Sequence, residues 1–324
     1  MVRTGAHAYI KYGWEGTTYG VLDTSEVADK KFGLADKMSS LSLTNNKVNL
    51  AQLNKNTVHK YAYGQQSGSA SMSFTLSNPW IIGSILGAPT ASGSSPNYIY
   101  TYDSSLTTFT KTPRTIQVEV GYDGLAAPIV RTLKGGIVGA LSITASVGGL
   151  VDCSSDITYG VETAPSATLG TAPVLPAIEF PYTFAHATLE FRGATVLQCQ
   201  DASISMAQNA ELLYGLSSHS AAAAYKRVLD ITGSFKASWL NKDALDDMLA
   251  QVSLSSPQEM VTGIIKLSFV KNATNEKIVI ELSGVTLNDL GVSGLEPIEP
   301  LFEDISFTAK NIKVTATSLT SSAE

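Results

Sequence analysis

The chain has 324 residues, 44% of them hydrophobic and only 15% charged, with a formal net charge of −6. That length has room for two ordinary domains with their own cores, and the balance is the reverse of a disordered chain. No run approaches the roughly 18 apolar residues of a membrane span, and no Lys/Arg cluster is placed to grip phosphates, so a membrane-spanning segment and tight nucleic-acid binding are both set aside.

Charge is unevenly spread. Residues 1–162 hold 12 Lys/Arg and 11 Asp/Glu, whereas residues 163–324 hold 10 and 17. An acidic surface lets nucleic acid pass without sticking, although plain solubility explains the same balance. The opening MVRTGAHAYIKYG has no apolar secretory core, so synthesis in a cytoplasm is expected. Cys153 and Cys199 make neither a disulfide framework nor a metal site and read as reduced, structural thiols.

In chain order, Ala6–Gly13 (AHAYIKYG) alternates, with Tyr9 and Lys11 on one face and Ile10 and Tyr12 on the other. Residues 14–37 read as a loop or a short helical turn. Ser40–Trp80 reads as a strand, a long loop over Thr44–Gly68, a second strand and the entry to a helix. Asn78 is placed to cap that helix, Pro79 suits its first position, and Gly87 can close it. Thr115–Gly121 alternates as a half-buried strand, Asp123-Gly124 makes a turn, and strands follow over Pro128–Gly135, Ile137–Val147 and Ile157–Val161. Residues 163–181, rich in proline, form an extended linker.

The plan then recurs. AHATLEFRG (Ala185–Gly193) answers AHAYIKYG at a shift of 179 (186 − 7). Gln200–Leu240 answers Ser40–Trp80 at 161 (203 − 42), with a long loop over Met206–Asp230. Asn241 caps a helix over Lys242–Val252, whose Leu245, Met248, Leu249 and Val252 form one stripe expected to pack inward. Ile264–Val270 and a turn at Asn272–Glu276 follow. KIVIELSG (Lys277–Gly284) answers PIVRTLKG (Pro128–Gly135) at 149 (277 − 128), Val285–Leu295 answers Ile137–Val147, and Asp304 answers Asp156. A strand over Ile305–Ala316 closes the chain.

The expected fold is mainly β: a β-sandwich of roughly seven or eight strands plus one α-helix per module. Two tandem domains are expected, at residues 1–162 (with an extra loop at 14–37) and 182–324, joined by the Pro-rich linker at 163–181.

An enzyme reading lacks a site. His7, His59, His186 and His219 share no ligand spacing, no nucleophile elbow occurs, and Gly135-Gly136 with Gly139 precede a strand rather than a helix. Asp243, Asp246 and Asp247 read as solvated helix charge, and Glu296, Glu299, Glu303 and Asp304 as a Pro-punctuated loop unlike any metal loop. No catalytic residue, cofactor or metal is expected. Leu212, Leu213, Tyr214, Leu216, Ala221–Ala224 and Tyr225 place apolar surface where a solvent loop should run. Such a loop either contacts a neighbour or folds back on its own core. Val48, Leu50, Leu53 and Tyr61 are the matching contact candidates in the first loop.

The run CQDASISMAQNAELLYGLSSHSAAAAYKRVLDITGSFKASW (Cys199–Trp239) resembles the tube module of major tail tube proteins from long-tailed viruses of bacteria and archaea. In that module an S-x-S strand leads to an LYGLGS-like loop, a basic-hydrophobic step, an ITGSF-like strand and a helix. The likeness is clear here and fainter in Ser40–Trp80, and Leu216–His219 departs from it where a glycine is common. The resemblance implies a β-sandwich with a flanking helix, and, for a two-module chain, trimeric rings of six modules stacked into a tube. It implies contacts at the two long loops, and tape-measure, tail-tip and terminator proteins as further partners. Double-stranded DNA would pass through the lumen without tight binding, along a wall of acidic or small polar side chains. The expected location is the virion tail, with assembly in the host cytoplasm. A tandem β-sandwich adhesin, the inner tube of a non-viral contractile injection system, and, more distantly, a carboxylate-based glycosidase are the other classes these residues leave open.

Overall fold

The computed structural model describes residues 8–24, 29–51, 60–95, 97–105, 113–122, 128–163, 165–166, 180–196, 198–216, 218–238, 243–252, 264–272, 276–293 and 301–318. The first half contains strands β1 (Ala8–Trp14), β2 (Leu34–Leu50), β3 (Lys60–Thr75), β4 (Thr90–Ser94), β5 (Asn97–Asp103), β6 (Ile116–Tyr122), β7 (Ile129–Ser146), β8 (Val151–Tyr159) and β9 (Val161–Glu162). The second contains β10 (Ala187–Phe191), β11 (Ala194–Thr195), β12 (Cys199–Ala207), β13 (Glu211–Tyr214), β14 (Ala221–Tyr225), β15 (Asp230–Ser238), β16 (Ile265–Asn272), β17 (Glu276–Ser293) and β18 (Phe302–Ser318). One short helix, α1 (Gly83–Leu86), follows β3, and a longer one, α2 (Asp243–Val252), follows β15. The fold is mainly β.

Strand formation follows the period-two pattern. In β8 every odd residue from Val151 to Tyr159 is buried and every even one is exposed. In β1, Ile10 and Tyr12 enter the core on one face, and Trp14 extends the strand and the core into the stretch expected as a loop from residue 14. Lys11, though also buried, pairs with Glu119 at 3.2 Å.

Pairing is antiparallel throughout. The first half runs β1-β6-β7-β8-β3-β2 and the second β10-β16-β17-β18-β15-β12, the same order of connections in each. The shared details are close. Gly135 in β7 and Gly284 in β17, aligned by the PIVRTLKG/KIVIELSG match, have φ of 64° and 63°, a left-handed kink that glycine adopts without a Cβ clash. Two residues past the first of these, β7 exchanges β6 for β8 as its partner. A bulge interrupts β7 between Val138 and Ala140, and another interrupts β17 between Leu287 and Asp289. Ile10 and Tyr12 face Val120 and Val118 as Leu189 and Phe191 face Leu267 and Ile265, in keeping with the 179-residue shift.

The two halves meet as one sheet. β12 pairs with the C-terminal part of β7, Asp201 opposite Ser146 through Ala207 opposite Ala140. β5 of the first half extends β18 of the second, Asp103 opposite Lys313 through Tyr98 opposite Ser318. The buried apolar residues of both halves form one continuous cluster.

Several expectations need correction. The Thr44–Gly68 and Met206–Asp230 segments are not simple loops. β2 and β3 continue outward as a long hairpin arm, and the second segment folds into the β13–β14 hairpin. The alternation of Lys47-Val48-Asn49-Leu50 already carried the strand period. In α2 the expected inward stripe lies open at Leu249, 57% exposed, and at Leu245, Met248 is only half-buried, and Ala244 is buried. Periodicity says which residues share a helix face, not whether anything lies against it. Glu303 and Asp304 sit in β18 rather than in a loop, with Glu303 buried. The matches in the S-x-S strands are two residues off. Counted from the bulges, the row Ala140–Asp156–Ser71–Ser40 corresponds to Asp289–Ser306–Ser234–Ser203. Ser40 rather than Ser42 is therefore the counterpart of Ser203, and Ser306 rather than Asp304 that of Asp156. A slip of two keeps every side chain on its own face, so residue type alone does not detect it.

The first helix starts later than expected: Trp80–Ile82 form a 3-10 turn with Pro79, not Asn78, in the cap position, and α1 follows from Gly83. The Trp80 amide does donate to Asn78 Oδ1 at 3.3 Å, and the Gly87 amide closes the helix on Gly83 O at 2.9 Å. Leu53, His7, His59, Asp123-Gly124, Asn241, Glu296, Glu299 and most of the linker lie outside the described residues.

Candidate functional site: a hydroxyl-lined sheet face and its edges

Eight strand segments form one broad layer: the C-terminal half of β17, then β18, β15, β12, the C-terminal part of β7, β8, β3 and β2. Its core side is apolar, including Ile157, Ile143, Ile204, Phe235 and Ile305. Its other side is open and built of small hydroxyl and aspartate side chains. The register aligns them into cross-strand pairs. Ser42 and Ser69 hydroxyls lie 2.8 Å apart, Ser142 and Ser154 2.7 Å, and Ser203 and Ser234 2.9 Å. Ser71 donates to Asp156 at 2.8 Å, Ser293 to Asp304 at 3.2 Å, and Thr308 to Asn288 at 3.1 Å. Serine and threonine satisfy one another here and leave lone pairs for water. Asp152, Asp156, Asp201, Asp289 and Asp304 are among its charges, and Lys37 and Lys236 oppose them, Lys236 lying 3.7 Å from Asp304.

At the junction between the halves, β12 is buried against β7, with Ile204 opposite Ile143 and Met206 opposite Leu141. The segment after β12 locks onto the first half. The Gln208 amide donates to Gly139 O at 2.9 Å, and its fully buried side chain donates to Val138 O at the β7 bulge and to Ser84 O at 3.3 Å. Lys226 donates to Ile85 O at 2.9 Å, and burial pulls its pKa down to about 8. Tyr214 donates to Gln66 O at 2.9 Å, the Gln66 amide donates to His219 O at 2.8 Å, and Ala221 packs on Gly160, where a Cβ would come within 2.3 Å of the alanine's own.

The contact candidates therefore divide. Leu212 and Tyr214 are half-buried, Tyr214 through its bond to Gln66 O, whereas Leu213 and Tyr225 are exposed and Leu216 wholly so. Val48, Leu50 and Tyr61 are exposed on the β2–β3 arm. Tyr63, 75% exposed, belongs with Tyr61 by strand period and went unremarked in the sequence. Gln208 and Lys226 were missed as well, since no local pattern marks a polar residue that caps a bulge in another half of the chain.

The layer has two unpaired edges among the described residues: the outer edge of β2, and the C-terminal half of β17 on the side away from β18. Leu43 (40% exposed) and Val292 (36%) lie on these edges. An open edge with apolar side chains is a template for another strand.

Neither cysteine is paired. Burial raises the Cys153 thiol, and burial with Asp201 nearby raises Cys199 to about 11. His186 accepts the Thr183 amide at 3.1 Å in a local cap. Among the described residues, no three His, Cys, Asp or Glu side chains group to hold a metal, and no helix is long and apolar enough to cross a membrane. No curated protein matches the chain. Residues 5–309 match the family model described as phage tail tube protein. The chain thus belongs to the phage tail tube protein family, a structural component of viral tails that assembles with itself.

Proposed function

We propose that the chain carries two copies of one tube module, and that three chains close into a ring of six modules that stacks into a hollow tail tube. The observation carrying this reading is the repeated strand order, with β12 of the second half paired to β7 of the first inside the chain. Each half has one S-x-S edge strand, β2 or β12, and one receiving strand, β7 or β17. Inside the chain β12 meets β7, which leaves one β2 and one β17 edge to be matched by neighbours. Repeating one junction around an axis closes a barrel and removes every edge.

The hydroxyl and aspartate face then lines the bore. Double-stranded DNA holds its position on a protein by displacing counterions against Lys and Arg. A wall of serine, threonine and aspartate offers little of that, so DNA passes without arrest on its way to the host. Tape-measure, tail-tip and terminator proteins would meet the same bore and the two ends of the tube, in a virion tail assembled in the host cytoplasm.

Negative-stain microscopy of the purified, concentrated protein tests the reading. Rings or long hollow tubes are expected; a chain that stays monomeric at high concentration under conditions where it is folded overturns it.

A further inference from the structure

The junction within the chain is a template for the junction between chains. From it we infer a residue register: β2 of one chain pairs antiparallel with the C-terminal half of β17 of a second copy, with Ser40 opposite Ser293, Leu41 opposite Val292 and Leu43 opposite Leu290. This rests on the ring reading above and adds to it the residues that meet.

Two sets of landmarks fix the correspondence. The kink glycines Gly135 and Gly284, and the bulges that follow them, superpose β7 on β17 at the shift already given by PIVRTLKG and KIVIELSG. The cross-strand row starting at each bulge ends on Ser40 in β2 and on Ser203 in β12. In the internal junction Ser203 faces Thr144, Ile204 faces Ile143 and Met206 faces Leu141. Transferring each residue to its counterpart gives the pairs named above.

The chemistry of both edges agrees with that register. Leu41 and Leu43 pair with Ala70 and Gly68, on the core side of the layer. Val292 and Leu290 pair with Glu303 and Ile305, also on the core side. Apolar side chains partly exposed in one chain thus cover one another when two chains meet. A slip of one would instead set the leucines against Gly291 and Ser293 on the hydroxyl face. A slip of two keeps the faces matched, and the bulges exclude it. Internally the Gln208 amide donates to Gly139 O within the β7 bulge. Asn45 and Asn288 are the counterparts, and only the named register brings the Asn45 amide to the carbonyl inside the β17 bulge. The β2–β3 arm, with Val48, Leu50, Tyr61 and Tyr63 exposed, then lies over the neighbour where the β13–β14 hairpin lies internally.

The test is a disulfide. Side chains directly opposite in a sheet have Cβ atoms about 4.5–5.5 Å apart, close enough for a cysteine pair to oxidise after a small adjustment. In a Cys199→Ala background, Leu41→Cys with Val292→Cys is compared with Leu41→Cys with Leu290→Cys, the pair that a slip of two would favour. Tubes of each variant are oxidised and run on a denaturing gel without reductant. The first pair should give covalent dimers and closed trimers, reversed by reductant, at least ten times as abundantly as the second. Equal or better cross-linking by the second pair, or no cross-link by either in well-formed tubes, overturns the register and leaves the ring reading standing. Failure of the unmodified protein to form rings or tubes overturns both. If the cysteine variants do not assemble, a high-resolution map of the unmodified tube decides. Leu41 Cα about 4.5–5.5 Å from Val292 Cα of the neighbour sustains the register, and Leu41 opposite Leu290 overturns it.

Discussion

The two S-x-S edge strands have the same sequence character and opposite fates. β12 is buried on both sides, between β15 and β7, and its Met206 has no exposed surface. Among the described strands β2 pairs with β3 alone, with the Tyr159 hydroxyl reaching across to the Ser42 carbonyl at 2.8 Å, and Leu43, the counterpart of Met206, is 40% exposed. The hairpins attached to them differ in the same way. β13–β14 is tied to the first half through Gln208, Tyr214, His219 and Lys226, whereas the described part of the β2–β3 arm presents Val48, Leu50, Tyr61 and Tyr63 to solvent. One chain thus holds an S-x-S strand paired on both sides and, among the described strands, one paired on a single side, which on the proposed ring reading are a filled and an empty version of one interface.

Truncation is the sharpest way to break that comparison. Met206→Ala should cost the isolated chain about 2–5 kcal/mol, the range for emptying a packed core site. Leu43→Ala should stay within about 0.5 kcal/mol, as for an open surface position. Urea unfolding of the unassembled protein checks both. Equal losses would mean that the two strands are not counterparts.

A smaller effect is expected where the filled interface is closest. Gly160→Val drives a side chain into Ala221 and should destabilise the chain by about 1–3 kcal/mol, as overpacking does. It should also make the β13–β14 hairpin the first site of limited proteolysis. A variant with unchanged stability and an intact hairpin would show that the hairpin is not seated on Gly160.

Lys226 gives a pH signature to the same seat. Its folded pKa, about 8, lies below the ordinary lysine value of 10.5, because burial penalises the charged form. Between those values the unfolded chain binds a proton that the folded chain does not, so this group makes stability rise with pH across that window. Below about pH 8 its burial cost is fully present. Relative to Lys226→Met, the natural chain should therefore gain stability from pH 8 to pH 10.5, seen as a rising difference in urea midpoints. A flat difference contradicts a buried lysine at the junction.

The least change in stability is expected on the hydroxyl face. Ser154→Lys and Ser234→Lys should each alter the unfolding free energy by no more than about 0.5 kcal/mol. In tubes they should convert an indifferent wall into one that retains duplex DNA at low salt and releases it as salt rises. Unaltered DNA retention would argue that this face does not line the bore.

Much of this was legible in the sequence because period two and glycine position are local signals. KIVIELSG and PIVRTLKG match on Gly135 and Gly284, which have the same left-handed backbone conformation. The opening strands aligned because Ile10 and Leu189 meet equivalent partners. The S-x-S strands did not align to the residue, because a motif with period two matches itself after a slip of two. The α2 stripe was identified but its expected burial is not seen at Leu245 and Leu249, since periodicity assigns residues to a face and does not say what covers it. Gln208 and Lys226 carried no local mark at all. Their role depends on carbonyls of Val138 and Ile85, distant in sequence and brought near only by the junction.

The most direct measurement is a reconstruction of the assembled tube by electron cryomicroscopy, with chains counted per ring and the inner sheet followed across each boundary. Three chains should trace six lobes, and β2 of each should continue without a gap into β17 of the next. Six chains per ring, or a break in the sheet between β2 and β17, would contradict a wall built by repeating the β12–β7 junction.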